Sequence, residues 1–207
     1  MNNSHKLYVK NNLKYYLAYK PYGTLTQFTD KEGRKTLADL FTFPKDVYPV
    51  GRLDMDSEGL ILLTNDKKLV DQMLNPKNRH EREYLIQVEG IPSEVDLKKL
   101  EKGVMIEKRK TLPAKVKLLA GEPNVPERVP PIRQRKNIPT SWLSITLVEG
   151  RNRQVRKMTA HIGYPTLRLI RIRIGNLKLG KMKPGEVKEI NAYPQRGCPK
   201  SNILSGT

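Results

Sequence analysis

Three acidic side chains stand at alternate positions in VGRLDMDSEGLILLTND, which spans residues 50–66: Asp54, Asp56 and Glu58. Carboxylates at this spacing can bind a metal ion, supply a pair of groups for acid–base chemistry, or solvate a turn that leads into a buried strand. The residues around them test these interpretations.

A calcium-binding loop is the first interpretation. Such a loop follows D-x-[DN]-x-[DN]-G and ends with a bidentate glutamate at its twelfth position. Asp54, Asp56 and Gly59 fit the first, third and sixth positions. The fifth position is Glu58, however, and the twelfth is Asn65. The apolar run GLILLT is also typical of a strand rather than of a helix, so the spacing argues against calcium.

The other two interpretations stay open on the residues alone. A pair of carboxylates for acid–base catalysis needs a defined separation between the groups, which a sequence does not give. The plain alternative is a solvated turn before a buried strand.

The elements that must position these acids follow from the pattern of apolar residues. The segment 15–25 predicts a short strand closed by a turn at Pro21 and Gly23, and GLILLT predicts a buried strand. In 167–175 (LRLIRIRIG), alternation predicts that the isoleucines face inward and that Arg171 and Arg173 face outward. Further strands are predicted over 83–90 and 141–150, and helices over 36–41, 65–75, 93–103 and 151–163. The irregular alternation of strands and helices predicts a mixed α+β domain.

Two further segments stand out. SEVDLKKLEKG opens with Ser93 and Asp96 at the spacing of a capping box, and Gly103 stands where the helix should end. Residues 121–139, which are rich in proline and basic side chains, predict an extended loop.

The composition is strongly basic: 39 Lys and Arg against 21 Asp and Glu give a formal net charge of +18 and a pI near 10.0. This excess favours a polyanionic partner, above all a nucleic acid, because each neutralised phosphate releases counterions. The alternative is a basic protein kept in solution by its own charge.

Other classes of protein are disfavoured. The one cysteine, Cys198, permits no disulfide within the chain, and His5, His80 and His161 lack the spacing of metal ligands. No apolar run approaches the roughly 20 residues that cross a bilayer, and no signal peptide opens the chain. We therefore expect a cytoplasmic protein with no membrane association and no metal.

Four motifs together resemble one enzyme family. GRLDMDSEGLILLTND is similar to GRLDxxSEGLLLLTND, the signature of the pseudouridine synthases of the ribosomal small-subunit and large-subunit group. KPYGTLTQF resembles the early KPxGxLxQ segment of that family, and REYLIQVEG resembles its second motif. EGRNRQVRKMTAHIGYPTLRLIRIRIG is similar to its paired C-terminal motifs. The matches stand in family order from about Tyr15 to Ile190.

Three features narrow the resemblance to the E type of the large-subunit branch. They are the segment DKEGRKTL, the proline-rich insertion PPIRQRKNIPTSWL, and the presence of only about fourteen residues where many relatives carry an S4-like RNA-binding module. The resemblance implies an arm over 1–14, a catalytic domain over 15–194 and a tail over 195–207. It implies a pseudouridine synthase fold, α+β, with a mixed, mainly antiparallel bent sheet in two lobes, flanked by helices around a central RNA-binding cleft.

The implied reaction isomerises a uridine within RNA. The N1–C1′ bond breaks, the uracil turns while bound, and a C5–C1′ bond forms, so the resemblance implies no cofactor. Asp54 matches the family aspartate, which acts as nucleophile or as base at the ribose. Arg156, in QVRKM, matches the arginine that pairs with this aspartate, since an ionised carboxylate in a sheltered site needs a nearby cation. Tyr84 matches the tyrosine that stacks on the uracil and takes the C5 proton. The alternatives are a phosphate contact for Arg156 and core packing for Tyr84.

The resemblance also implies how the RNA is held. Leu169 or Ile170 would form an apolar wall against the uracil. Arg52 matches a position at which relatives fill the gap left by a flipped base, the alternative being a surface arginine that closes the turn. Asp56 and Glu58 are then structural, binding the turn or a basic side chain. Phosphate contacts are expected from the basic helix, the last strand and the proline-rich loop: Arg151, Arg153, Lys157, Arg171, Arg173, Arg133, Arg135 and Lys136.

The expected partner is 23S rRNA, either naked or in a ribosomal precursor particle, bound by a monomer without a protein partner. Three other functions remain open at this point. They are a non-catalytic rRNA-binding protein, a metal-dependent RNA-processing enzyme that uses the three acids, and a synthase of the same family that acts on another uridine in rRNA or tRNA.

Overall fold

The computed structural model of the chain describes residues 13–132, 135 and 137–193. The strands in this part are β1 (Tyr15–Lys20), β2 (Tyr48–Pro49), β3 (Glu58–Thr64), β4 (Arg82–Glu89), β5 (Met105–Ile106), β6 (Arg109–Lys110), β7 (Lys115–Leu118), β8 (Thr140–Leu147), β9 (Thr166–Ile174), β10 (Leu177–Lys178) and β11 (Val187–Ile190). The α-helices are α1 (Lys67–Leu74), α2 (Glu94–Lys102) and α3 (Gln154–His161), and short 3-10 helices span Leu37–Asp39 and Pro76–Asn78.

The main sheet has the strand order β11-β1-β3-β9-β4-β8-β7, with β2 added to β3 and β10 added to β9. Every pairing among these described strands is antiparallel except that of β3 with β9, which is parallel. The parallel ladder pairs only Glu58 with Ile170 and Gly59 with Arg171. It joins two antiparallel halves of the sheet, and the prediction of a mixed, mainly antiparallel sheet in an α+β fold is confirmed.

Both faces of the sheet are covered. One cluster of buried side chains includes Leu60 and Leu62 of β3 together with Ile170 of β9. The opposite face carries two clusters, one built around Ile61 and Leu63 and the other around α2, α3 and β8. Because alternate residues of β3 enter clusters on opposite faces, the whole strand is buried, as its continuous apolar sequence predicted.

The predicted helix signals are confirmed where they are strongest. Ser93 and Asp96 form the capping box of α2, and Gly103 ends the helix with a φ of 82°. The segment 36–41, which was predicted to be a short α-helix, forms only the single 3-10 turn at Leu37–Asp39. No regular element lies between β7 and β8 in the described residues, in agreement with the predicted loop over 121–139.

The predicted outward orientation of Arg171 is wrong. Arg168 and Arg171 are each only 4% exposed, because β9 lies in the interior of the sheet between β3 and β4. Arg171 Nε donates to the carbonyl of Leu60 at 2.8 Å, and Arg168 binds Glu58. Nη2 of Arg171 is also buried, but it has no hydrogen-bond partner among the described residues. Arg171 is therefore buried in the fold and not available to RNA phosphates.

Candidate active site

The loop that carries Asp54 and Asp56 leads into the start of β3, and it is tied to the segment after β1. The hydroxyl of Thr26 donates to the carbonyl of Leu53 at 2.7 Å and accepts from the Leu53 amide at 3.1 Å. The amide of Gly23 donates to the carbonyl of Met55 at 2.9 Å. The KPYGTLTQF and GRLDMDSEG motifs thus form one structural unit, which fixes the backbone on both sides of Asp54.

Arg153, at the start of α3, approaches this loop from a distant part of the sequence. Its Nη1 and Nη2 atoms donate to the two carboxylate oxygens of Asp56 at 3.0 and 2.8 Å. Its Nη1 atom also lies 3.5 Å from Oδ2 of Asp54. Arg153 therefore joins two of the three acids, whereas its expected role was a phosphate contact.

Arg156 lies one turn along α3 and binds the same loop. Its Nη2 atom donates to the carbonyl of Asp56 at 2.7 Å, and its Nε atom lies 3.4 Å from Oδ2 of Asp56. The expected direct ion pair of Arg156 with Asp54 is not present; the guanidinium contacts the side chain and the backbone of Asp56 instead. Both arginines thus meet at Asp56.

The charges and the burial of this cluster shift the pKa values of Asp56 and Arg156. Burial opposes the ionisation of Asp56, but the hydrogen bonds from Arg153 and the positive charge of Arg156 outweigh it, so that the pKa of Asp56 is lowered. Burial lowers the pKa of Arg156, and the negative charge of Asp56 partly offsets this effect. Asp56, Arg153 and Arg156 thus form a compact charged cluster where the acidic loop enters β3.

Lys20, at the end of β1, lies fully buried beneath the acidic loop. Its ammonium group donates to the carbonyls of Thr24 at 2.6 Å, Pro21 at 3.0 Å and Met55 at 3.4 Å. Burial lowers the pKa of Lys20 to about 8, although the negative charges of nearby acids oppose the shift. Sequence reasoning assigned no role to Lys20, although its place at the head of the KPYG motif was a signal.

Glu58 has a structural role, as expected. Its carboxylate accepts two hydrogen bonds of 2.8 Å from Arg168, in a pair whose side chains are 3% and 5% exposed. The same guanidinium also donates to the carbonyl of Pro126 at 2.8 Å. The buried ion pair thus connects the start of β3 to β9 and to the proline-rich loop.

Tyr84 lies where the two clusters on one face of the sheet meet, and its half-buried ring packs against both. In the pairing of β4 with β9, Tyr84 stands opposite Arg171, and Ile86 stands opposite Leu169. These four side chains share one face of the sheet, because residues two apart in a strand point the same way. Ile170 points to the opposite face and is fully buried there. Of the two residues expected to form the apolar wall, Leu169 is therefore the one on the side of Tyr84.

The remaining predicted site residues differ in whether they are exposed and in whether an acidic side chain already binds them. Arg52 is exposed and forms no ion pair within the described part of the chain. Arg173 is bound by Glu81 at 3.1 Å and by Glu83 at 2.8 Å. Arg135 is exposed and lies 3.5 Å from Glu89.

Of the other predicted phosphate contacts, Arg151 precedes α3 and Lys157 lies in it. The guanidinium of Arg151 donates to two backbone carbonyls, and Lys157 binds Glu107. Arg133 and Lys136 lie outside the described residues.

Two features of the described residues bear on whether the protein binds a metal ion or spans a membrane. No group of three or more His, Cys, Asp or Glu side chains among them is arranged to hold a metal ion. No helix in this part of the chain combines the length and the apolar character needed to cross a membrane.

Comparison with known proteins gives a consistent result. The family model for RNA pseudouridylate synthase matches residues 14–161. A curated relative from Vibrio parahaemolyticus, the ribosomal large subunit pseudouridine synthase E, is 56% identical over 86% of this chain and 74% of its own. The protein of the same name from Xanthomonas axonopodis pv. citri is 45% identical over 87% of this chain and 97% of its own. A solved structure described as a pseudouridylate synthase superposes with a TM-score of 0.72 at 26% identity, covering 86% of this chain and 70% of that one.

Proposed function

The chain belongs to the RNA pseudouridylate synthase family, and we propose that it isomerises a uridine of large-subunit ribosomal RNA to pseudouridine with Asp54 as the reacting carboxylate. The names of relatives that are 45% to 56% identical support the choice of RNA. The formal net charge of +18 also suits a large polyanionic substrate.

The observation that carries the proposal is the position of Asp54 beside the cluster of Arg153, Asp56 and Arg156. The Asp54 carboxylate is 36% exposed, so that a ribose can reach it from solvent. Arg153 supplies the adjacent positive charge that an ionised carboxylate in a sheltered site requires. Asp56 fixes that guanidinium through two hydrogen bonds, which leaves the face of Asp54 away from Arg153 available to substrate.

The reaction rearranges bonds within one nucleotide. The N1–C1′ bond breaks while Asp54 either attacks C1′ or removes a proton from the ribose, and both routes release the uracil within the site. The base turns, C5 bonds to C1′, and the proton on C5 is lost while N1 gains one. No atom is added or removed overall, so the chemistry requires no oxidant, no reductant and no hydrolytic water. We propose that the chain uses no cofactor.

Tyr84 and Leu169 are the groups proposed to hold the detached base. They lie on the same face of the sheet in adjacent strands, and Tyr84 is only partly buried. The phenol of Tyr84 is the proposed acceptor of the C5 proton, a general-base role in the last step.

Arg52 is the group proposed to occupy the space left by the flipped uridine. Extrusion of a paired base costs a few kcal/mol, and a side chain that fills the gap offsets part of this cost. Arg52 suits the role because it is exposed and is not held by an ion pair with a described residue.

We propose that the chain acts in the cytoplasm as a monomer.

A mapping experiment tests the proposed substrate. Large-subunit rRNA and a tRNA pool are transcribed in vitro, incubated with the chain, treated with a carbodiimide that forms a stable adduct with pseudouridine, and reverse-transcribed. A new stop in large-subunit rRNA that is absent with Asp54→Asn is the expected result. A stop confined to tRNA would show that the substrate is tRNA and not large-subunit rRNA. No stop in any RNA or in precursor particles would favour a non-catalytic RNA-binding protein.

A further inference from the structure

The hairpin of β5 and β6 carries an exposed basic sequence that has no part in the proposed reaction. Lys108, Arg109 and Lys110 follow one another at its turn and in β6, and all three are exposed. None of them forms an ion pair with a described residue. Three adjacent cations without acidic partners repel one another, and a polyanion would relieve that repulsion.

The hairpin is held rigidly against the active-site region. Arg151 donates from Nη2 to the carbonyl of Ile106 at 2.8 Å and from Nη1 to the carbonyl of Arg109 at 3.1 Å. One guanidinium therefore binds both strands of the hairpin. Ile106 is also buried in the cluster that contains α3, and the two turn residues, Glu107 and Lys108, adopt left-handed φ values of 51° and 61°. This pair of values is typical of a tight two-residue hairpin turn.

A short series of contacts connects the turn of the hairpin to the acidic loop. Arg153 lies beside Asp54, and Lys157 is one helical turn further along, since its amide donates to the carbonyl of Arg153 at 3.0 Å. Lys157 in turn forms an ion pair with Glu107 at the tip of the hairpin. The residue that binds the basic turn, Lys157, therefore lies about one helical turn beyond the arginine that contacts Asp54, a rise of about 6 Å over four residues.

We propose that this hairpin is a second RNA-contact element, in which Lys108, Arg109 and Lys110 bind phosphates of the RNA that flanks the target uridine. The inference rests on the proposed function and adds to it a surface that positions the substrate. The guanidinium of Arg151 and the ammonium of Lys157 are the internal supports of this element. The exposed cations are its contacts with RNA.

The test replaces the three cations by glutamine in the variant Lys108→Gln/Arg109→Gln/Lys110→Gln. A matched control, Lys67→Gln/Lys68→Gln/Lys77→Gln, removes the same charge from exposed positions in and after α1, at the opposite end of β3 from Asp54. The measurements are the equilibrium binding of large-subunit rRNA transcript across a range of salt concentrations, and tritium release from the same RNA labelled at uridine C5.

The hairpin variant is expected to raise the KM for tritium release about tenfold while its kcat stays within about twofold of the unaltered chain. The slope of log K against log salt should fall by about two to three, as expected for the loss of three phosphate contacts. The α1 control should change neither quantity. If both variants lose affinity equally, or if the hairpin variant keeps the original slope, the hairpin is not an RNA contact.

Two safeguards keep the result interpretable. If the triple variant shows a lowered unfolding temperature, the double variant Lys108→Gln/Lys110→Gln is compared with Lys67→Gln/Lys68→Gln, with a slope change of about one to two expected only for the hairpin pair. If the unaltered chain releases no tritium, the proposed function fails, while the binding measurement still decides whether the hairpin contacts RNA.

Discussion

The guanidinium of Arg153 lies between Asp54 and Asp56, 3.5 Å from a carboxylate oxygen of the first and 2.8 Å from one of the second. Asp56 is also the residue whose backbone and side chain bind Arg156. The position of the positive charge next to Asp54 thus depends on a second carboxylate two residues away. Asp56, which sequence reasoning treated as structural, orients both arginines.

The lowered pKa of Asp56 predicts how this residue contributes to stability. Its pKa in the folded state lies below its ordinary value of 3.8, so its stabilising contribution is fully present above about pH 4 and is lost as the pH falls through the folded-state pKa. The free energy of unfolding of Asp56→Asn should therefore fall below that of the unaltered chain at pH 7, and the two should converge in acid. Denaturation by urea at pH 7, 5 and 3 measures this difference. A gap that stays constant with pH would contradict the assignment.

The proposed proton transfer predicts a selective defect for Tyr84→Phe. The ring remains to stack on the uracil, but the phenol is lost, so tritium release should slow by about 10² to 10⁴-fold while the affinity for RNA changes little. Tyr48→Phe is a suitable control, because Tyr48 is 60% exposed and lies in β2, at the end of β3 distant from Asp54. An unchanged rate for Tyr84→Phe would assign the C5 proton to another base.

The buried ion pair of Glu58 and Arg168 should be strongly coupled. Glu58→Gln leaves a buried guanidinium without its counter-charge, which should cost about 3 to 5 kcal/mol of the free energy of unfolding. The double variant Glu58→Gln/Arg168→Gln should cost less than the sum of the single variants. Glu32→Gln, which breaks an exposed pair with Arg34, should cost less than about 1 kcal/mol. Additive effects in a double-mutant cycle would show that the two residues do not depend on each other.

Gly59 allows the parallel ladder that joins the two halves of the sheet. A Cβ atom at this position would overlap the backbone of Arg171, and the φ of +108° is itself unfavourable for other residues. Gly59→Ala should therefore lower the free energy of unfolding by about 3 kcal/mol, as backbone strain and overpacking add together. Gly23 has a φ of +75°, but a Cβ atom there would have no neighbour within 4 Å. Gly23→Ala should therefore lower the free energy of unfolding only by the cost of backbone strain. Equal losses in thermal unfolding experiments would rule out close approach of the strands as the reason for Gly59.

Much of the fold follows from local patterns. The apolar run of β3, the alternation in β4 and the capping box of α2 were all readable from the sequence, because each depends on residues close to one another along the chain. The pairing of two-residue strands in the hairpin of β5 and β6 gave no such signal, since a strand that short has no measurable period.

The site itself was only partly predictable. Asp54, Tyr84 and Arg156 were predicted as site residues by resemblance to a family and remain predictions, whereas the contacts of Arg153 with Asp56 join residues 97 positions apart and gave no local signal. Alternation in β9 predicted which side chains share a face, yet it could not indicate that both faces are covered and that Arg171 is buried. Such contacts depend on how the two halves of the sheet are joined, which no local pattern encodes.

The most direct test of the central claim is tritium release from large-subunit rRNA labelled at C5 of uridine, because formation of the C5–C1′ bond must expel that label. The unaltered chain should release tritium equally with and without EDTA, and Asp54→Asn should release none although it still binds the RNA. Release at the original rate by Asp54→Asn, or its loss on addition of EDTA to the unaltered chain, would contradict the account of Asp54 as the reacting carboxylate of a metal-independent isomerase.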